Sequence, residues 1–135
     1  MWYELSVATH RRTEAVEITG QLAEVIARSG VRDGVATVYC PHTTAGLTIN
    51  ENADPDVMDD LMRFLDALIE RANPGFRHRE GNADGHVKAS LVGASVSFPV
   101  RDGRPALGRW QGVFLCEFDG PRRRQVSVRV AGVLE

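Results

Sequence analysis

Three of the four histidines in this chain fall in two polar breaks, His42 in the first and His78 with His86 in the second. Asn50, Glu51 and Asn52 follow the first break, and Glu80, Asn82 and Asp84 share the second. Neutral imidazole is the commonest zinc ligand, and three imidazoles leave a fourth position open for water or substrate. His42, His78 and His86 can therefore be read as a set for Zn²⁺ or a similar divalent ion, with Glu51 or Glu80 as the base of a metal-assisted hydrolysis. No His-Glu-x-x-His or Cys-x-x-Cys spacing accompanies them, so the same side chains can equally be bases or hydrogen-bond donors.

His86 falls in the first turn of a short helix expected over residues 85–92, capped by Asp84 and stopped by Gly93. Free N–H groups at a helix start favour an anion and oppose protonation of a nearby histidine. On this basis His86 is a neutral ligand, a base or a donor to an oxyanion, unless it only packs against the capping turn. Ser90 lies one turn further along the same face, without the Gly-x-Ser-x-Gly setting of an activated nucleophile. A second basic feature, Gly120-Pro121-Arg122-Arg123-Arg124, enters the last expected strand. Alternation puts Arg122 and Arg124 on one face and Arg123 on the other. Guanidinium forks suit phosphate or carboxylate; a solvated turn is the plain alternative. Trp110, between Arg109 and Gln111, either stacks on a planar ligand or packs in the core or between subunits.

These residues need a scaffold. The chain has 135 residues and a mass of 14.8 kDa, with 43% hydrophobic and 25% charged residues. Residues 1–135 are therefore expected to form a single domain with its own core, too small for a TIM barrel. Apolar alternation places strands near residues 2–9, 13–19, 35–40, 47–49, 95–100, 112–118 and 125–130. Helices are expected over 19–29, 55–72 and 85–92. The middle one is best marked: Asp54 caps it, Pro55 fits its first position, and Val57, Met58, Leu61, Met62, Leu65, Leu68 and Ile69 form one stripe. The order β-β-α-β-β-α-α-β-β-β segregates helices from a mainly antiparallel sheet. That is a compact α+β domain with one long and two short helices.

Charge and composition narrow the partners. Sixteen Lys and Arg against eighteen Asp and Glu give net −2, so the basic excess of a nucleic-acid binder is missing. No apolar run is long enough for a membrane span, and the N-terminal residues lack a signal-peptide core. Cys40 and Cys116 are too few for a disulfide framework, and the second reads as core. The expected location is the cytoplasm.

Taken together the motifs become recognisable. His42-Thr43-Thr44-Ala45-Gly46-Leu47-Thr48-Ile49-Asn50-Glu51-Asn52-Ala53-Asp54-Pro55 resembles the first motif block of the YjbQ-like family of small bacterial and archaeal proteins. Asn82-Ala83-Asp84-Gly85-His86-Val87-Lys88-Ala89 resembles its Asn-Ala-x-x-His-Leu-Lys-Ala pattern, and Gly108-Arg109-Trp110-Gln111 its Gly-Thr-Trp-Gln, with Asp119-Gly120-Pro121-Arg122 continuing it. Arg109 stands where threonine is usual, and Gly85 replaces a commoner residue and loosens the helix start. The resemblance implies a homotrimer with its polar residues in a cleft near a subunit interface. It also implies secondary thiamine-phosphate synthase activity, joining a pyrimidine diphosphate to a thiazole phosphate with release of pyrophosphate, usually with Mg²⁺. On this reading His42, His86 and Glu51 are catalytic candidates, while Asn50, Asn82, Ser90, Trp110, Gln111, Arg122 and Arg124 hold the phosphorylated substrate. Metal-dependent hydrolysis at His42, His78 and His86 stands beside it, as does anion or small-molecule binding without turnover.

Overall fold

The computed structural model describes residues 1–132. Along the chain the elements are β1 (Trp2–Ala8), β2 (Glu14–Glu17), α1 (Thr19–Ser29), β3 (Gly34–Tyr39), β4 (Ala45–Glu51), α2 (Pro55–Leu68), α3 (Ala83–Val92), β5 (Ser95–Arg101), β6 (Arg104–Pro105), β7 (Gln111–Glu117) and β8 (Arg123–Gly132). The strands form a five-stranded sheet, β1-β8-β3-β5-β6, and a three-stranded sheet, β2-β7-β4, both antiparallel. This is the expected α+β domain. Among the described residues one strand is unforeseen, β6, which has two residues, too few for alternation to register.

Strand alternation builds the layers. Val7, Val38 and Val126 of the large sheet face Leu47, Val113 and Leu115 of the small one, with Leu22, Val25 and Ile26 of α1 in the same core. The opposite face of β7, through Phe114 and Cys116, packs on Met58, Met62 and Leu65 of α2 and Ala89 of α3. The result is large sheet, small sheet, then α2 and α3, with α1 closing the core between the sheets. Both cysteines are buried; burial pushes the Cys40 thiol up, and that of Cys116 up to about 12, so neither is a thiolate at neutral pH.

Helix ends depart from expectation in two places. Asp54 caps α2 as anticipated, accepting from the Asp56 N–H at 2.9 Å, but the helix stops at Leu68 rather than near residue 72. Glu70, Arg71, Ala72 and Asn73 are all exposed, so no burial supports another turn. Leu68, placed in the apolar stripe by spacing, is 60% exposed. At α3 the start is Ala83, two residues early, with Asn82 at the cap position. Asp84 does not cap it; fully buried, it takes a bidentate bond from Arg12 (2.9 and 3.1 Å) and another from Lys88 (3.1 Å). Lys88 also reaches Asp66 on α2. Gly85 does more than loosen the helix. A Cβ there would sit 3.1 Å from the Phe118 carbonyl oxygen, and one on Gly46 would sit 2.7 Å from that of Gly93. The absence of both side chains lets α3 lie directly against the start of β4 and the end of β7. Among the described residues, no helix is long and apolar enough to cross a membrane.

Candidate functional site

Where β4 begins and β7 ends, a cavity of about 530 Å³ opens, lined by His42, Asn82, His86, Asp119, Arg122 and Arg124 among others. Its back wall is an ion pair. Glu117 lies on the β7 face that carries Val113 and Leu115, and Arg124 on the β8 face that carries Val126 and Val128, so the two meet between the sheets. Arg124 donates through Nε to Glu117 Oε1 (2.9 Å), and through Nη2 to Glu117 Oε2 and to Thr44 Oγ1 (2.9 Å). The Thr9 hydroxyl and the Asp119 N–H complete the carboxylate's shell at 2.8 and 3.0 Å. Burial alone would raise the Glu117 carboxyl, but Arg124 and these donors outweigh it and hold it below the usual carboxylate range. Satisfying every lone pair in this way is what makes a buried ion pair tolerable.

In front of this wall the groups are softer. The Nε2 of His42 accepts the Gln125 N–H at 3.0 Å. Burial, then the charge of Arg124, push the His42 imidazole below its ordinary value. Asp119 accepts from Asn82 Nδ2 (2.8 Å) and Arg122 Nη2 (3.0 Å), both on Oδ2. The Arg122 Nε donates to the Asp119 carbonyl oxygen at 3.0 Å. The expected arginine pair thus shares the cavity but not a role. Arg122 is half-exposed beside Asp119, whereas Arg124 spends Nε and Nη2 inside the core.

The histidines divide as well. His42 and His86 line this cavity, and both border an adjoining depression that includes Ser90. His78 lines a different hollow, with Phe76 and Val87, and packs edge-on against His86 with ring centroids 5.1 Å apart. Its Nε2 approaches Glu80 at 3.7 Å. Among the described residues no three His, Cys, Asp or Glu side chains gather closely enough to hold a metal ion. With the His42 Nε2 already occupied, the three-imidazole zinc set does not fit this arrangement. Because α3 starts early, the His86 N–H bonds the Asn82 carbonyl oxygen (3.3 Å) and is no longer one of the free donors of a first turn.

The remaining candidates stand at the far end of the same strands. Pairing sets Ala45 opposite Glu117 and Glu51 opposite Gln111, so the two ends are separated by roughly 20 Å. Asn50 Oδ1 takes the N–H of Glu51 (2.8 Å), and Gln111 Oε1 that of Gly108 (2.8 Å). Glu51 borders a separate cavity of about 460 Å³ floored by Met58, Met62 and Phe114. Trp110 is 54% exposed, with the Arg109 guanidinium 4.9 Å over its ring. Within one chain it does not wall the histidine cavity.

The profile of the family described as UPF0047 protein YjbQ-like matches residues 3–133. The chain belongs to the YjbQ-like family. The UPF0047 protein MJ1081 of Methanocaldococcus jannaschii is 51% identical over 132 residues, covering 98% of this chain and 95% of that one. The UPF0047 protein YugU of Bacillus subtilis is 46% identical over 128 residues, covering 95% and 97%. A crystal structure of an uncharacterized YjbQ/UPF0047 family protein from Clostridium acetobutylicum superposes with a TM-score of 0.93 at 45% identity, covering 96% of this chain and 99% of that one. A protein of unknown function from Sulfolobus solfataricus, described as YbjQ-like, gives 0.92 at 32% identity, covering 98% and 97%.

In this YjbQ-like chain, the reading of motifs gave no role to Asp119 and Thr44, which line the cavity, or to Glu117, which stands behind Arg124. Glu117 had a signal: it is the one charge in the run from Val113 to Phe118, and a carboxylate in a buried strand demands a partner. Asp119 and Thr44 had none beyond adjacency to recognised motifs. Lys88, the only lysine, turns out to be a buried cation between Asp84 and Asp66.

Proposed function

We propose that the cavity beside His42 binds a phosphorylated small molecule, and that the protein is an enzyme of the secondary thiamine-phosphate synthase type acting as a cytoplasmic homotrimer. The observation that carries the reading is the convergence of His42, His86 and the Arg122–Arg124 segment on one cavity from three distant stretches of chain. In that reaction the thiazole nitrogen bonds to the exocyclic carbon of the pyrimidine diphosphate, the carbon–oxygen bond to the diphosphate breaks, and pyrophosphate leaves with the electron pair. Charge then builds on the leaving oxygens, where Arg122 and an N–H of His42 would bind more strongly in the transition state than in the ground state.

The trimer has its own support. The outer face of the large sheet, with Trp2, Val35 and Tyr39 exposed, is covered by no layer built from the described residues. Light scattering should give three times 14.8 kDa; a monomer mass would refute it. The activity is tested by complementing a thiamine-phosphate auxotroph and by kinetics of purified variants. Loss of rescue in His42→Ala and Arg122→Ala supports the reading. Rescue that survives both, with phosphate binding still at this cavity, leaves a binding protein without this turnover.

A further inference from the structure

The charge inventory of the histidine cavity is unusual for a plain phosphate site. Two arginines line it, but so do two carboxylates, Asp119 and Glu80, and a third, Glu117, stands behind Arg124. A phosphate brought to Arg122 would lie next to Asp119, whose carboxylate is 3.0 Å from that guanidinium. Like charges at such range repel unless something positive lies between them.

Asp119 is built to receive that something. Asn82 and Arg122 both donate to Oδ2, which orients the carboxylate and leaves Oδ1 outside these bonds. His42 is fixed in the complementary sense. Its Nε2 accepts a backbone N–H, a donor that cannot reverse, so in the neutral ring the proton resides on Nδ1. The proton that neutral His42 can donate is therefore the one on Nδ1, and Nε2 offers neither a base nor a metal-ligating lone pair.

We infer that the ligand is zwitterionic: a phosphate group met by Arg122 and the Nδ1–H of His42, joined within one molecule to a cationic nitrogen met by Oδ1 of Asp119. The inference rests on the phosphate-binding reading and narrows it to one class of phosphorylated compound. Neutral-tailed phosphate esters satisfy only half of the site and face the uncompensated charge of Asp119.

Calorimetric titration with two small probes separates the halves: ethyl phosphate, and O-phosphoethanolamine, which adds an ammonium group to the same phosphate ester. The wild-type protein should bind O-phosphoethanolamine about tenfold more tightly, the size of one charge-assisted hydrogen bond. Asp119→Asn should abolish that preference while binding ethyl phosphate at least as well, because Arg122 is released. Glu80→Gln should leave the preference in place. Equal binding of the two probes by the wild-type protein overturns the inference and leaves the phosphate reading standing, and that comparison needs no variant to fold. A preference lost in Glu80→Gln rather than Asp119→Asn also overturns it. Failure of both probes to bind at millimolar concentration removes the phosphate reading itself. A nitrogen-15 spectrum placing the His42 proton on Nε2 would refute the assigned donor.

Discussion

The β4–β7 pair has two polar ends, and they behave differently. At one, Thr44 and Glu117 are buried beside Arg124, with His42, Asn82, Asp119 and Arg122 ranged in front. At the other, Asn50, Glu51 and Gln111 are partly or fully exposed and bond mainly to neighbouring backbone, while Trp110 carries Arg109 on its ring. Both ends carry family motifs and similar residue types. What separates them is cover: β8 and α3 cross the first end, and burial there makes each polar group choose a partner. Polar composition alone does not make a site; enclosure by elements from elsewhere in the chain does.

The largest test of this contrast is Glu117→Gln. Removing one member of a buried ion pair strands the other, so urea denaturation should show a loss of about 3–5 kcal/mol. Glu51→Gln, at the open end, should stay within about 0.5 kcal/mol, as surface changes do. Equal losses would mean that the two ends are energetically alike.

Next in size, Arg122→Ala should weaken binding of a phosphorylated ligand by about 1–3 kcal/mol in calorimetry, the range for a charged hydrogen bond. Acid sensitivity should follow the closed end. Opposed by burial but held down by Arg124 in one case and by Arg12 and Lys88 in the other, Glu117 and Asp84 both sit below their ordinary values. Groups of this kind stabilise the fold above their unfolded pKa, about 4, and lose that contribution as pH falls through the folded value. Ellipticity should therefore fall off increasingly below about pH 4, with part of that dependence absent in Glu117→Gln and unchanged in Glu51→Gln.

His42 should show a smaller effect. Its unfolded ring takes a proton near pH 6.5 and its folded ring only at lower pH. Stability should thus slip as pH drops below 6.5, and the slip should vanish in His42→Ala. The smallest effect is expected for Trp110→Ala: less than about 0.5 kcal/mol on monomer stability and none on phosphate binding by a single chain. A large effect on binding would mean that Trp110 reaches the cavity of a neighbouring subunit.

The sequence by itself determined the elements and the family. Alternation marked the long strands, Asp54 and Pro55 marked the start of α2, and Gly30, with φ of 74°, the end of α1. Each of those signals is local, carried by residues within a turn or two of one another. The partners inside the cavity had no such signal. Thr9 and Glu117 are 108 positions apart, and Arg124 and Thr44 are 80 apart. Spacing therefore could present Arg124 as an anion binder and Asp84 as a cap, when burial assigns one to Glu117 and the other to Arg12 and Lys88. Only the tertiary structure decided which end of the small sheet closes, because enclosure is a property of elements meeting across the fold, and a charge that loses its water takes whichever partner that meeting supplies.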